Sequence, residues 1–387
     1  ARGRFDPERT AGEPVPAAVR SLTVALTRVL SGAEKVLGEH VVAAALGDLL
    51  AGVPRAVAKL VSSQVWRLAE LPVEGSKPPA RTSMRVPEAL PAWMPARRTL
   101  GGFYVQRALG AGGVGSVFVV TRVEDRGDAG AEKLALKVPE YSASAARALS
   151  EAEFLKMFRE EASALIALPQ HPNLARFVTF DAGSKPKPIL VMELVEGVTL
   201  ERLLETGGLD TARAVAVLTD VLGGLEAMHA AGVAHLDIKP SNVVMRGGEE
   251  AVLVDFGLAG KHIRPGCATG AYGAPEVWGA LDGVVELSPP KADVYAFGCV
   301  AFETLTGRVL FESDSEMAQI AMHLAHDGLP PQLKALTKRP ELALLVELLF
   351  ATLRRDPAER PSAAVVNKKL KRLASGLASL PWPIDTF

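Results

Sequence analysis

Cysteine is almost missing from this chain. Cys267 and Cys299 are the two among 387 residues. Two thiols cannot build a disulfide framework, so a reducing, cytoplasmic setting is expected. Net charge is equally scarce, with a formal total of −1 at pH 7. Nothing global points to nucleic acid or to an anionic membrane surface, and neither is expected as a partner. Long apolar runs are also lacking. The most apolar early stretch, Val41 to Val53, contains Asp48 and falls far short of the ~20 residues needed to cross a bilayer. No signal peptide, internal repeat or low-complexity tract stands out. The chain does not begin with Met, which fits a piece of a longer or processed protein whose other parts could carry a span.

What is present suits a folded protein. Hydrophobic residues make up 48% and charged residues 22%, on a chain long enough for two or three domains. Residues 1–98 hold 14 basic and 9 acidic side chains, the remainder 29 and 35, a mild asymmetry that could help two parts dock. Three helical patterns are expected within residues 1–71. Val19, Leu22, Leu26, Val29 and Leu30 form the first stripe. Leu37, Val41, Ala45, Leu46, Leu49 and Leu50 form the second, after a Ser31–Glu34 capping-box spacing. Val57, Leu60, Val61, Val65 and Leu68 form the third, after Pro54. Each stripe must be buried against something. The segment is either a small packing module or a regulatory or dimerising one, with a partner or second subunit as a candidate cover. Residues 72–98 hold Pro72, Pro78, Pro79, Pro87, Pro91 and Pro95 and read as a semi-extended linker. From Phe103 the pattern turns to short β-like runs, and from Thr211 to long helices. Strands first and helices later predict an α+β domain with segregated lobes.

The motifs carry chemistry in a fixed order. Leu109-Gly110-Ala111-Gly112-Gly113-Val114-Gly115-Ser116-Val117 contains G-x-G-x-x-G-x-V. A dinucleotide fold needs such glycines to open a helix. Here a β-branched run follows, so the unit is strand, glycine turn, strand, either a phosphate-covering loop or an ordinary Gly-rich hairpin. Glycine suits the first because backbone N–H groups can approach phosphate oxygens with no Cβ in the way. Leu134-Ala135-Leu136-Lys137 comes one strand later. A lysine there needs an anionic partner, and the helical run Phe154 to Leu168 offers Glu161, with Glu160 as the competing candidate. Then come Leu190-Val191-Met192-Glu193-Leu194-Val195, His235-Leu236-Asp237-Ile238-Lys239-Pro240-Ser241-Asn242, Asp255-Phe256-Gly257, Ala274-Pro275-Glu276 and Asp356-Pro357-Ala358-Glu359-Arg360.

This set resembles the eukaryotic-type (Hanks-type) Ser/Thr protein kinases, in their bacterial branch. His235 to Asn242 matches H-R-D-x-K-x-x-N except that Leu236 replaces the arginine. The resemblance implies a bilobal kinase fold over residues 99–373, with a small β-rich N-lobe and a large helical C-lobe. A small helical segment precedes it and a tail, 374–387, follows. It implies ATP and Mg²⁺ as cofactors, and protein Ser or Thr as substrate. Leu109, Gly110, Gly112, Gly115, Val117, Ala135, Met192, Glu193, Val195 and Val244 would line the nucleotide pocket, with Met192 as gatekeeper and Glu193 and Val195 bonding adenine through backbone. Lys137, held by Glu161, would reach the α- and β-phosphates. Asp237 would orient the acceptor hydroxyl, Lys239 would neutralise the transferring group, and Thr269 would sit beside both. Asn242 and Asp255 would hold Mg²⁺. Asp293 would anchor the catalytic loop, and Arg360 would pair with Glu276.

An active kinase is therefore expected. A pseudokinase that scaffolds partners usually loses the lysine, the catalytic Asp or the metal Asp, and none is lost here. A kinase acting on a peptide precursor or small molecule is a third reading. Leu236 cannot donate to phosphate, so the charge-assisted grip on a phosphorylated activation segment is missing, and control is expected from elsewhere.

Overall fold

The computed structural model describes residues 90–112, 115–140, 150–263, 269–278, 288–313 and 315–385. The three helical patterns expected in residues 1–71 lie outside the described residues, as does the Pro-rich stretch up to residue 89.

A six-stranded antiparallel sheet forms the small lobe. Its strands are β1 (Thr99–Leu100), β2 (Phe103–Gly112), β3 (Gly115–Arg122), β4 (Leu134–Val138), β5 (Phe177–Asp181) and β6 (Ile189–Glu193), in the order β1-β2-β3-β4-β6-β5. The central strands read as continuous apolar runs because both faces are covered. Alternation still sorts their residues. Leu134, Leu136 and Val138 of β4 and Ile189 and Val191 of β6 join an outer cluster. Ala135, Leu190 and Met192, one residue out of phase, join the main core. The outer face is sealed by Leu90, Trp93 and Met94. Trp93 meets Phe118 edge-on at 6.0 Å and donates to Glu140 at 2.9 Å. The end of the Pro-rich stretch is thus packed against the sheet.

The inner face carries α1 (Glu151–Ile166). A Ser150–Glu153 capping box starts it, and Phe154, Phe158, Glu161, Ala162 and Leu165 are buried at helical spacing. Below the cleft lies a second antiparallel sheet of β7 (Gly197–Thr199), β8 (Val243–Arg246) and β9 (Glu250–Leu253). The helical lobe comprises α2 (Leu200–Thr206), α3 (Thr211–Ala230), α4 (Pro289–Thr306), α5 (Glu316–Leu324), α6 (Pro331–Leu336), α7 (Ala343–Thr352) and α8 (Ala363–Ala378). Every residue of α4 from Ala292 to Thr306 is buried, so this helix is the axis of the lobe. Helix α8 runs past residue 373. The chain after it folds back, with Trp382 donating to the Thr304 carbonyl and Ile384 N–H to the Leu305 carbonyl, both at 2.9 Å. No helix among the described residues is long and apolar enough to cross a membrane.

Candidate active site

Lys137 stands on β4 with its stem buried between the sheet and α1, at 6% exposure. Its Nζ lies 2.8 Å from Glu161 Oε1 and 3.4 Å from Asp255 Oδ1. The geometry decides between the two glutamates. One helical step turns a side chain by about 100°. Glu161 therefore faces inward at 1% exposure, while Glu160 is exposed and lies 3.9 Å from Lys156. Burial works to lower the Lys137 pKa, but the Glu161 and Asp255 carboxylates outweigh it and hold the ammonium well above the ordinary lysine range. Burial works to raise Asp255, and the charges of Lys137, Lys239 and His235 outweigh it, holding the carboxyl below the usual range. Gly257 lies against this group: a Cβ there would stand 2.7 Å from the Lys137 ammonium, which would have to shift.

Asp237 and its partners close the other side of the cleft. Lys239 Nζ donates to Asp237 Oδ2 at 2.8 Å and to Thr269 Oγ1 at 3.2 Å. Thr269 Oγ1 donates to Asp237 Oδ1 at 2.9 Å. Asn242 Nδ2 donates to the Asp237 carbonyl at 2.8 Å and to its carboxylate at 3.0 Å. The loop is fixed from beneath by Asp293 at the start of α4. Asp293 Oδ2 accepts from His235 N–H at 2.8 Å, and Oδ1 from Leu236 N–H at 2.7 Å. Leu236 has φ +63° and Asp255 φ +56°. Such left-handed conformations cost roughly 1–3 kcal/mol each in non-glycine residues and persist where surrounding bonds over-determine them. The two Asp293 bonds do so at Leu236.

The residues expected to line a nucleotide pocket fall on five strands and a connection. Register sets Val117 of β3 opposite Lys137 and Ala135 opposite Met192 of β6. Leu109 and Gly110 lie on β2, where Gly112 pairs with Gly115. Gly115 has φ +151°, and a Cβ there would meet the Val138 carbonyl oxygen at 2.2 Å, so only glycine fits. Glu193 ends β6; its carboxylate is taken by Arg246 at 2.7 Å and its N–H donates to the Arg176 carbonyl at 2.8 Å. Val195 follows, half-buried, and Val244 sits on β8 at 8% exposure. In the helical lobe, Arg360 binds Glu276 with two bonds of 2.6 and 2.8 Å.

Sequence reasoning missed three features. Trp93 docks on the small lobe from a stretch whose prolines suggested only extension. Arg246 bridges Glu193 and Glu250, at 2.7 Å each. A Tyr295–His323–His326 group contacts the activation segment from behind. A lone tryptophan amid prolines was the one available signal. The other partners are far apart in sequence and share no motif.

The Lys137–Glu161–Asp255 cluster and the Asp237–Lys239–Thr269 cluster, set at a cleft between a sheet lobe and a helical lobe, have the arrangement of the protein kinase class. The chain matches the protein kinase domain family over residues 103–370, well over half its length, and it belongs to that family. It is similar to the serine/threonine-protein kinase pkn2 of Myxococcus xanthus, 32% identical over 296 residues that cover 74% of this chain and 33% of the relative. It is similar to PknL of Mycobacterium bovis, 34% identical with 71% and 66% covered. It is also similar to PkaA of Streptomyces coelicolor, 32% identical with 72% and 51% covered. The chain spans between one third and two thirds of the length of these curated relatives. Its domain is a Ser/Thr protein kinase domain with bacterial homologues, and a domain of this family uses ATP.

Proposed function

We propose that the chain transfers the γ-phosphoryl group of ATP to Ser or Thr hydroxyls of protein substrates with the help of Mg²⁺. The observation that carries this reading is the double engagement of Lys137. It bonds Glu161 at 2.8 Å and Asp255 at 3.4 Å, across the cleft from a catalytic loop in which Asp237, Lys239 and Thr269 are mutually bonded.

Lys137 binds α- and β-phosphate oxygens, and Glu161 keeps its long stem in one rotamer. Asp237 accepts a hydrogen bond from the acceptor hydroxyl and then its proton. Lys239 offsets the negative charge that builds on the transferring group. Thr269 holds the Asp237 carboxylate in plane, so that orientation is set before the acceptor arrives. Asp255 and Asn242 would hold Mg²⁺, which supplies charge neutralisation at the phosphates. The donor set fits. Asp255 stays ionised, and Asn242 uses its amide nitrogen on Asp237, which leaves its oxygen for a hard cation. No cluster of three or more His, Cys, Asp or Glu ligands occurs among the described residues. A two-ligand site suits an ion that keeps waters and phosphate oxygens for itself.

The domain boundaries expected from sequence enter this reading too: a kinase unit from about residue 99, with the helical segment 1–71 packed on it or on a second chain. Deleting 1–71 then changes solubility, oligomeric state or activity, and an indifferent truncation makes the segment a passive appendage. The main test is a labelled-ATP assay with Mg²⁺ over a panel of protein acceptors. Label is expected on Ser or Thr. A wild type that neither labels any acceptor nor gains thermal stability with Mg·ATP overturns the reading. At 100 times its dissociation constant a ligand adds about 2.7 kcal/mol, a shift of several degrees.

A further inference from the structure

Helix α5 meets the activation segment through a chain of polar groups that phosphate handling does not explain. His323, fully buried, lies with Nε2 2.9 Å from the Gly270 carbonyl oxygen. Its Nδ1 lies 2.8 Å from the Tyr295 hydroxyl of α4. That hydroxyl lies 3.1 Å from His326 Nε2, and His326 Nδ1 accepts from the Gly328 N–H at 3.0 Å.

The two ends fix the middle. A backbone N–H can only donate, so His326 Nδ1 is bare and its Nε2 carries the proton. A carbonyl can only accept, so His323 Nε2 carries a proton and its Nδ1 is bare. The Tyr295 hydroxyl between them must accept from His326 and donate to His323. One arrangement of protons satisfies every group, and both rings are neutral in it. Protonating His323 would aim a second N–H at a hydroxyl that already accepts from His326. The surroundings oppose that charge: burial, then His326, push the His323 pKa down to about 3. His326 is lowered by burial and by Arg355 and Arg360, with Asp327 acting the other way. Cys299, Arg360, Glu276 and Arg355 are the charged or titratable groups around Tyr295.

The chain ends one residue from the chemistry. Gly270 follows Thr269, whose hydroxyl donates to Asp237 at 2.9 Å. A glycine peptide has the greatest freedom to reorient, so the carbonyl beyond Thr269 needs an external hold. A second hold acts on the same segment from the same ring. Arg360, bonded twice to Glu276, lies 4.9 Å above the Tyr295 ring centre. We propose that His326, Tyr295 and His323 form a proton-ordered strut that sets the Thr269–Gly270 step, and that His323 is a positioning residue for phosphoryl transfer. This rests on Asp237 and Thr269 having the roles given above.

Two variants break the strut and one keeps its last bond. Tyr295→Phe preserves packing but removes the hydroxyl that joins His323 Nδ1 to His326 Nε2, so the His323 ring loses its brace. His323→Leu removes the donor. His323→Gln can present an amide N–H near the place of the ring Nε2. With the best acceptor of the panel, Tyr295→Phe and His323→Leu are expected to lower kcat by about tenfold or more, as misplacement of a reacting group does. The KM for ATP and the thermal shift with Mg·ATP stay unchanged, and His323→Gln recovers most of the rate. Independently of activity, side-chain ¹⁵N spectra of the wild type should show His323 and His326 as neutral Nε2–H tautomers that do not titrate between pH 5 and 8. Full kcat in folded Tyr295→Phe, a glutamine variant no better than leucine, or an Nδ1–H or titrating His323 overturns the strut. Asp237→Asn is the control. If it stays active, the catalytic placement fails. If it is dead while His323→Leu is normal, the strut alone fails.

Discussion

Replacing Lys137 by methionine isolates the charge of the buried pair, because the straight side chain can follow the same channel. At 2.8 Å the gross attraction between Lys137 and Glu161 is about 6 kcal/mol at an effective dielectric constant of 20. Desolvation offsets much of this, and removing one partner of such a pair typically costs about 3–5 kcal/mol. At about 2–4 °C per kcal/mol for a domain of this class, the melting temperature should fall by roughly 6–20 °C. The loss should depend on pH. In the wild type the Lys137 pKa is raised, so the pair's contribution is complete below the ordinary lysine pKa of about 10.4 and fades only above it. In the variant Glu161 keeps its 1% exposure without the lysine's charge, and burial raises its pKa. A raised carboxyl pKa favours the folded state as pH falls, so the deficit should shrink between pH 8 and pH 5. Adding Glu161→Leu should restore most of the stability and none of the activity. Differential scanning calorimetry across that pH range reads all three effects. A single variant that melts with the wild type, or a double variant no more stable than the single one, would refute the buried-pair argument.

Asp237→Asn should abolish phosphoryl transfer while leaving the Mg·ATP thermal shift nearly intact, since its carboxylate bonds Lys239 and Thr269; retained turnover would misplace the catalytic loop. Phosphatase treatment should leave the initial rate unchanged. Thr269 and Tyr272 are the hydroxyl residues between Leu258 and Gly273, both are engaged, with Asp237 and with Glu303 at 2.7 Å, and Leu236 offers no donor. A rate that collapses and returns on autophosphorylation of the segment, followed by mass spectrometry, would sink this. Trp93→Ala should destabilise the small lobe by less than the ~3–5 kcal/mol of a fully buried tryptophan, because Trp93 is only half-buried. Chemical denaturation with the midpoint unmoved would show that residues 90–94 contribute nothing.

Much of the site was legible because it is written in short contiguous strings. Gly115 must be glycine, because any Cβ there would run into the Val138 backbone. Such steric demands leave one letter in the sequence. Glu161 could be preferred to Glu160 because it falls at helical spacing with Phe154, Phe158 and Leu165 on one face of α1. Trp93 was hidden because prolines describe a backbone, not what covers it. The His323–Gly270 bond joins residues 53 apart. Histidine there carries no local signature, and only the packing of α5 against the activation segment gives it a partner. The lobes themselves followed from periodicity, alternating in the strands and helical after Thr211. The depth at which α4 is buried did not, because its apolar residues occupy every side and its buried Asp293 and Glu303 read in the sequence as surface charges.

The burial of α4 has a practical consequence. Cys299 sits in its middle at 1% exposure as a free thiol. Burial, then Glu303, push its pKa above the ordinary thiol range, so almost no thiolate forms while the fold is intact. An alkylating reagent can reach the sulfur only when the axis of the helical lobe comes apart. With Cys267 changed to serine, the rate of labelling at Cys299 becomes a clock for that opening. It is read at the helix whose first turns carry Asp293, and so at the footing of the catalytic loop.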